Sequence, residues 1–376
     1  MGYTRYYNSR KEVSTALGYG WRGDYSRYLT TGETLIILHE PDGRVAHFIY
    51  DVVEGKYLSE AWQVRKIEKT GDTYELREPD GTILLFNSAG QITRIQDRNG
   101  NFQDIGYDGN RLSFVQDNFG RRLDFHYNTE GQLFERLSTP IGDQHFTYLN
   151  GNLKTVTYPD NTVRTYLYED LHEPADERHN LTGIMDEEGK RCLTVSYDDQ
   201  DRAISEELNG GLLKTSIEYK AGLERVLTDS LERLMTFALH ADKGIGRVKS
   251  AAGTGCKTCM TPADTSYNLT GRLQIQDATD AHGISENYVY DARGNIESHI
   301  QAHDTADERT VGLTWHPDYS QPDIITQKSV VNTEQNTTSD FNYDTAGNPD
   351  TLIESGYDID GTITRTFDYT FDGPGG

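Results

Sequence analysis

The run Leu123-Asp-Phe125-His-Tyr127-Asn-Thr-Glu-Gly131-Gln-Leu133 decides the fold. Up to Tyr127 apolar and polar residues alternate with a period of two, the pattern of a strand with one buried face. Beyond Tyr127 come polar turn formers, a Gly and an aliphatic residue, the chemistry of a hairpin reversal. An Asp or Asn that opens such a turn accepts hydrogen bonds from amides two residues on, and the Gly takes the positive φ that closes a type I turn with a G1 bulge. The same alternation precedes the aromatic in Leu193-Thr-Val195-Ser-Tyr197 and in Phe367-Asp-Tyr369-Thr-Phe371.

The pattern recurs on both sides, as Phe86-Asn-Ser-Ala-Gly90-Gln-Ile92, Tyr107-Asp108-Gly-Asn-Arg-Leu112, Tyr148-Leu-Asn-Gly151-Asn-Leu153, Tyr267-Asn-Leu-Thr-Gly271-Arg-Leu273, Tyr290-Asp291-Ala-Arg-Gly294-Asn-Ile296 and Tyr343-Asp344-Thr-Ala-Gly347-Asn-Pro349. Weaker copies start at Tyr168, Tyr197-Asp198 and Tyr219. The aromatics at 86, 107, 127, 148 and 168 stand 20 or 21 residues apart, with a second turn midway at Asp97-Arg-Asn-Gly100, Asp117-Asn-Phe-Gly120, Pro159-Asp160-Asn161 and Asp186-Glu-Glu-Gly189. Two turns per unit leave strands of about five to eight residues, so the chain is expected to be an all-β array of antiparallel β-hairpins. The landmark Asp and Gly residues are read as turn formers, not as metal or catalytic carboxylates.

Residues 86–376 are assigned to the repeats and residues 1–85, which fit the period less well, to a segment that caps the array, because repeat arrays need atypical ends. The period breaks at about 169–181, an expected polar loop insertion, and at a Gly-rich stretch of about 244–262 that holds Cys256-Lys-Thr-Cys259. Functional insertions often take this form.

With 36 Lys+Arg against 60 Asp+Glu in 376 residues, the net charge is −24, which repels phosphate backbones and anionic headgroups. No nucleic-acid partner and no membrane insertion are expected, and no apolar run approaches the ~20 residues of a spanning helix. Mean hydropathy is −0.71, yet 24 Tyr, 12 Phe and 3 Trp supply more aromatic surface than a disordered chain carries. Met1-Gly2 running straight into Tyr3, and Gly373-Pro374-Gly375-Gly376, read as cuts in a longer chain, so the missing leader leaves localisation open.

These residues resemble the RHS or YD-repeat family, named for the Tyr-Asp pairs at Tyr107-Asp108, Tyr197-Asp198, Tyr290-Asp291 and Tyr343-Asp344. Tyr3-Thr-Arg-Tyr-Tyr-Asn-Ser-Arg10 and Leu17-Gly-Tyr-Gly-Trp21 are similar to the segment that introduces the repeats in bacterial members, and Trp315-His-Pro-Asp318 with Pro322 is similar to the family's His-Pro-Asp variant. The resemblance implies a ribbon of hairpins coiling into a spiral, here an open, curved shell segment. In bacterial relatives such shells enclose a toxic carboxy-terminal segment, and in the animal teneurins a similar shell serves adhesion. The family's self-cleaving Asp-, Pro- and Gly-rich motif is not seen in these residues.

A search for catalytic chemistry finds no phosphate loop, nucleophile elbow, His-Glu-x-x-His or EF-hand spacing. Cys256 and Cys259 have the spacing of a local disulfide, of half a zinc site or of a redox pair; the disulfide or paired thiols is preferred, and cysteine pairs in some YD-repeat relatives favour a structural role. His299 and His303 lie too far apart on a strand to share a metal, and His172 and His179 flank the acidic insert. Asp198-Asp199-Gln-Asp201 reads as a turn instead of a Ca²⁺ site. The aromatics Tyr3, Tyr6, Tyr7, Tyr19, Trp21, Tyr25 and Tyr28 either pack the capping segment or stack on sugars, packing being preferred. The expectation is a non-catalytic wall segment of a larger secreted or surface protein, with no cofactor and no metal, whose partners are the rest of its own parent chain and a carboxy-terminal effector; the alternative is a module that binds a carbohydrate or cell-surface ligand.

Overall fold

A computed structural model of the chain describes residues 2–10, 14–62, 64–169, 178–243, 245–253, 264–331, 334–358 and 361–369. Among them there is no α-helix, only a 3-10 turn at Ala221–Leu223, and no helix long and apolar enough to cross a membrane. Among the described residues thirty-one strands, from Tyr28–Thr30 to Gly361–Asp368, form one antiparallel sheet in which each pairs with its neighbours in the chain. A lone bridge joins Tyr28 to Gln91, but among the described residues no strand pairing ties the last strand to the first, so the sheet is open.

Alternation makes these strands one-sided. Ile36 and Leu38 in Leu35–His39, and Leu123 and Phe125 in Arg122–Tyr127, are buried while their neighbours are not. Val115 opposes Leu123 and Phe125 opposes Leu137, so the apolar row passes from strand to strand. Hairpins begin at Tyr28, so residues 28–86 are rungs like the rest. The boundary expected at 85 therefore moves to about 28, and residues 2–27 alone lie outside the main sheet, as two small pairings of Arg5–Tyr7 with Trp21–Gly23 and Ser14–Thr15 with Gly18–Tyr19.

The turns fall alternately on two edges of the ribbon. On one, the tyrosine edge, the strand bulges as it reaches Phe86, Tyr107, Tyr127, Tyr148, Tyr197, Tyr290 and Tyr343. A bulge bends its strand and increases the local twist, so a bulge at the same post in successive hairpins bends the ribbon the same way each time. The ribbon consequently meets itself: Arg272 Nε donates to Trp62 O across 210 residues, and Asn348 Nδ2 donates to Asn99 Oδ1 across 249. About twenty strands at ~4.8 Å make a circuit of roughly 95 Å, a ring about 30 Å across.

Residues 2–27 occupy that ring. Tyr3 packs edge-on against Phe125 at 5.4 Å, Trp21 against Tyr166 at 4.9 Å, and Trp21 and Tyr25 are buried. Each such aromatic, taken from water, contributes roughly 1.5–3 kcal/mol. One contiguous core runs from Leu17 to Leu181. From Ala203 onward the wall thins, with Met235, Ala251 and Leu273 its buried apolar side chains among the described residues.

Candidate functional site

Tyr107, Tyr127, Tyr148, Tyr197, Tyr290 and Tyr343 stand at equivalent posts, each opposite the first or second residue of the next strand: Leu112, Phe134, Leu153, Ala203, Ile296 and Pro349. From there the phenol reaches back one hairpin. Tyr127 Oη donates to Leu112 O at 2.8 Å, Tyr148 to Phe134 O at 2.8 Å, Tyr197 to Leu181 O at 2.9 Å, Tyr290 to Ile275 O at 2.6 Å and Tyr343 to Pro322 O at 2.5 Å. Trp315 does the same with its indole N–H, to Ile296 O at 2.7 Å. Burial pushes the Tyr127 phenol up to about 12, so it remains a donor at any ordinary pH.

The turns that follow are held by their first residue. In Asp198, Asp291 and Asp344, Oδ1 accepts the amides two and four residues on, from Gln200 and Arg202, Arg293 and Asn295, Ala346 and Asn348. The Asn348 amide first, with its side chain, holds the Asp344 carboxyl below the usual range; for Asp198 burial alone would raise it, and the Arg202 side chain and amide outweigh that. Asp108 differs, pairing with Arg111 at 2.7 Å. Gly131, Gly151, Gly294 and Gly347 take φ of 69°, 74°, 82° and 81°.

One unit is misread by its sequence. Leu269, not Tyr267, stands at the bulge opposite Ile275, and Leu273, not Gly271, closes the turn at φ 61°. The true turn is Thr270 to Gln274, and the apparent Tyr-to-Gly spacing is a two-residue slip. Leu273 tolerates the strained conformation because its side chain is buried.

Cys256, Cys259 and His172 lie outside the described residues. Cys192 is a free thiol, with Sγ 3.4 Å from Ile184 O. His179 is stacked on Tyr19 and bonded to Asn152 Oδ1 at 2.9 Å. His299 and His303 share the strand Ile296–His303, where His299 is stacked on Tyr288 and bonded to Glu286. His303 lies with Asp304 and Glu308 in an exposed cluster whose ligand atoms fall within 4.8 Å of one another, already hydrogen-bonded to Glu308.

The two edges carry the interactions between one turn of the ribbon and the next. The far edge, opposite the tyrosines, offers carbonyls at Ser59, Trp62 and Pro79, which accept from Arg272 Nη2, Arg272 Nε and the Ser320 amide, each at 2.8 Å. Arg293 O in turn accepts the Val64 amide at 2.8 Å. The Arg247 guanidinium covers the Trp62 ring at 4.8 Å, and Tyr319 wedges between Gly81 and Gly347, where an added Cβ would come within 2.9 and 2.6 Å of its ring. Behind this seam Arg65 bridges Glu40 and Glu78, with Arg27 on Glu40 at 2.7 Å; burial raises the Glu78 carboxyl, opposed by Arg65.

The tyrosine edge of the first turn is covered instead by the chain's own beginning. Leu29 N donates to Gly90 O, Phe134 N to Ala16 O, Tyr19 N to Gly151 O, Tyr7 Oη to His179 O and Ser9 Oγ to Asp201 O. Between this segment and the wall lies a cavity of about 940 Å³, lined by Tyr3, Tyr25, Gln91, Tyr107, Asn110 and Arg111. The Tyr107 hydroxyl has no hydrogen-bond partner among the described residues.

A family model described as "Domain of unknown function (DUF6531)" matches residues 1–48, the segment that covers the tyrosine edge and opens the sheet. A curated relative, double-stranded DNA deaminase toxin A of Burkholderia cenocepacia (strain H111), is 25% identical over 244 residues, which are 63% of this chain and 16% of that protein. The family model and the relative support an RHS-like protein. Among solved structures, the chain is similar to the crystal structure of TcdB2-TccC3-TEV, at TM-score 0.41 and 12% identity over 98% of this chain and 25% of that one. It is also similar to TcdB2-TccC3 without its hypervariable C-terminal region, at TM-score 0.40 and 12% identity over 96% and 25%. The chain thus spans about a quarter of those structures and about a sixth of the curated relative.

Sequence reasoning missed the seam. Trp62, Arg272, Arg293 and Tyr319 belong to turns that read as ordinary loops, and the one signal was an aromatic or Arg at a turn tip where a small polar residue would serve.

Proposed function

We propose that the chain is a non-catalytic wall segment of a larger secreted RHS protein, the capped first turn of a shell that contains or delivers a carboxy-terminal effector. The observation that carries this reading is the placement of residues 2–27, which fill the ring and cover its tyrosine edge while the wall past Ala203 coils onward as a thin layer. A filled floor and a continuing wall make the beginning of a container. The toxin named above, matched over 63% of this chain, supports the effector half of the proposal. The test is limited proteolysis of the longest natural polypeptide that carries this sequence. The segment following the wall should resist protease until urea opens the ribbon; cleavage at the rate of an unprotected peptide sinks the reading.

A second reading, glycan recognition, draws on the cavity beside Tyr107, where phenol, amide and guanidinium groups converge on a space large enough for a short oligosaccharide. Retention of the chain on a polysaccharide gel, lost in Tyr107→Ala with the fold intact, would favour it over containment.

A further inference from the structure

Charge runs against the grain of the chain in the cavity of about 940 Å³ between the chain's beginning and the wall. The sequence carries 60 Asp+Glu against 36 Lys+Arg. Yet Arg22, Arg27 and Arg111 line this cavity and, among the described residues, no carboxylate does. Two of the three guanidiniums are already balanced, Arg27 Nε by Glu40 at 2.7 Å and Arg111 Nη2 by Asp108 at 2.7 Å. Arg22 is half-buried and has neither a hydrogen bond nor an ion pair among the described residues. A guanidinium drawn partly out of water without an acceptor costs free energy that a bound anion would offset.

We infer that this cavity binds a small aryl monocarboxylate, with the carboxylate on Arg22 and the flat apolar body against the aromatic lining. Charge balance selects the anion. With Arg27 and Arg111 each neutralised, one positive charge remains, which a carboxylate matches; a phosphate dianion would leave one negative charge unbalanced inside a chain of net charge −24. The planar fork of a guanidinium also suits the two oxygens of a carboxylate. Neutral donors are at hand, because the hydroxyls of Tyr3 and Tyr107 line the cavity and have no hydrogen-bond partner among the described residues. Burial pushes both phenols above the usual range, so both keep their protons at ordinary pH. Gly23, also in the lining, leaves the Tyr3 hydroxyl the space that a Cβ would fill. The rings of Tyr127 and Phe134, 5.9 Å apart and edge to face, with Leu112 and Leu133, supply the apolar surface on which an aryl body packs. This site does not depend on the container reading, and it occupies the space considered above for a sugar, so the two ligands exclude each other.

The test is isothermal titration calorimetry of the 376-residue chain with 2-naphthoate, its uncharged amide 2-naphthamide, 2-naphthyl phosphate and maltotetraose. 2-Naphthoate should bind at one saturable site, roughly tenfold or more tighter than the amide and the phosphate, the worth of one charge-assisted pair. Arg22→Gln should weaken the acid by about the same factor, with the melting temperature unchanged because the side chain has no partner in the fold to lose, and Arg22→Lys should recover most of that loss. Should Arg22→Gln fail to fold, Ala89→Glu, which sets a carboxylate at an exposed position of the lining, should abolish binding of the acid. Acid and amide binding alike, phosphate binding more tightly than the acid, no saturable heat with the acid, or acid binding untouched by either variant overturns the inference. Maltotetraose bound and 2-naphthoate not bound overturns it and leaves the sugar reading standing; the reverse result upholds it and sinks the sugar.

Discussion

The hydroxyl of Tyr127 donates to the backbone carbonyl of Leu112 at 2.8 Å, fifteen residues back, so the landmark of one hairpin is latched to the start of a strand in the hairpin before it. Repetition of this latch gives the wall a lateral tie independent of the strand ladder. Tyr127→Phe and Tyr148→Phe should each destabilise the chain by about 1 kcal/mol, the net worth of one buried hydrogen bond whose carbonyl is left unpaired. Tyr107→Phe should change stability by less than about 0.5 kcal/mol, because its hydroxyl has no partner to lose. Urea midpoints of the three variants decide the matter.

Turn strain offers a gain in stability. Glu232 closes the turn opened by Asp229 at φ 61°, a position that Gly120 fills at φ 80° in the turn opened by Asp117. Glu232→Gly should stabilise by about 1 kcal/mol, and Gly120→Ala should cost a similar amount, the penalty of a side chain in the left-handed region. Thermal melts moving in opposite directions are the expected result.

The response to acid follows from the turn carboxylates. Asp229, Asp280 and Asp344 are held below the usual range, first by the Arg233 side chain, the Ile284 amide and the Asn348 amide respectively. A depressed carboxylate stabilises the fold above its unfolded pKa, about 3.9, and that contribution is lost as pH falls through the folded value. Glu78, raised by burial, has the opposite sign: its contribution is full below about 4.3 and fades as pH rises through its folded value. The aspartates outnumber it, so the denaturation midpoint should drop between about pH 5 and pH 3. Asp229→Asn, which keeps the turn acceptor and removes the charge, should show a shallower drop.

The segment inside the ring is expected to be essential to it. Trp21 is buried between Tyr7 and Tyr166, and its indole N–H donates to Tyr168 Oη at 2.8 Å. Trp21→Ala should cost about 3–5 kcal/mol and expose residues 2–27 to protease before the rungs themselves are cut. Simultaneous cleavage throughout the chain would show that the segment and the wall are one unfolding unit.

Local chemistry was legible in the residues. Alternation before Tyr127 marks a strand, and Asp344-Thr-Ala-Gly347 marks a turn, because a period of two and a positive φ each act within a few residues. The same logic misread Tyr267, since its unit offers two aromatic-to-Gly spacings and only the partner strand selects Leu269. It also assigned residues 28–85 to the capping segment, although their strands pair in the same sheet as the rest.

What the amino-acid order determined by itself was therefore the hairpin, its length and the one-sided apolar face, all set by contacts between near neighbours. The tertiary structure alone decided how far the ribbon curves before Trp62 meets Arg272 and which edge residues 2–27 seal. Curvature is the accumulated effect of a small bend per bulge over about twenty strands, and no single unit carries enough of it to be read.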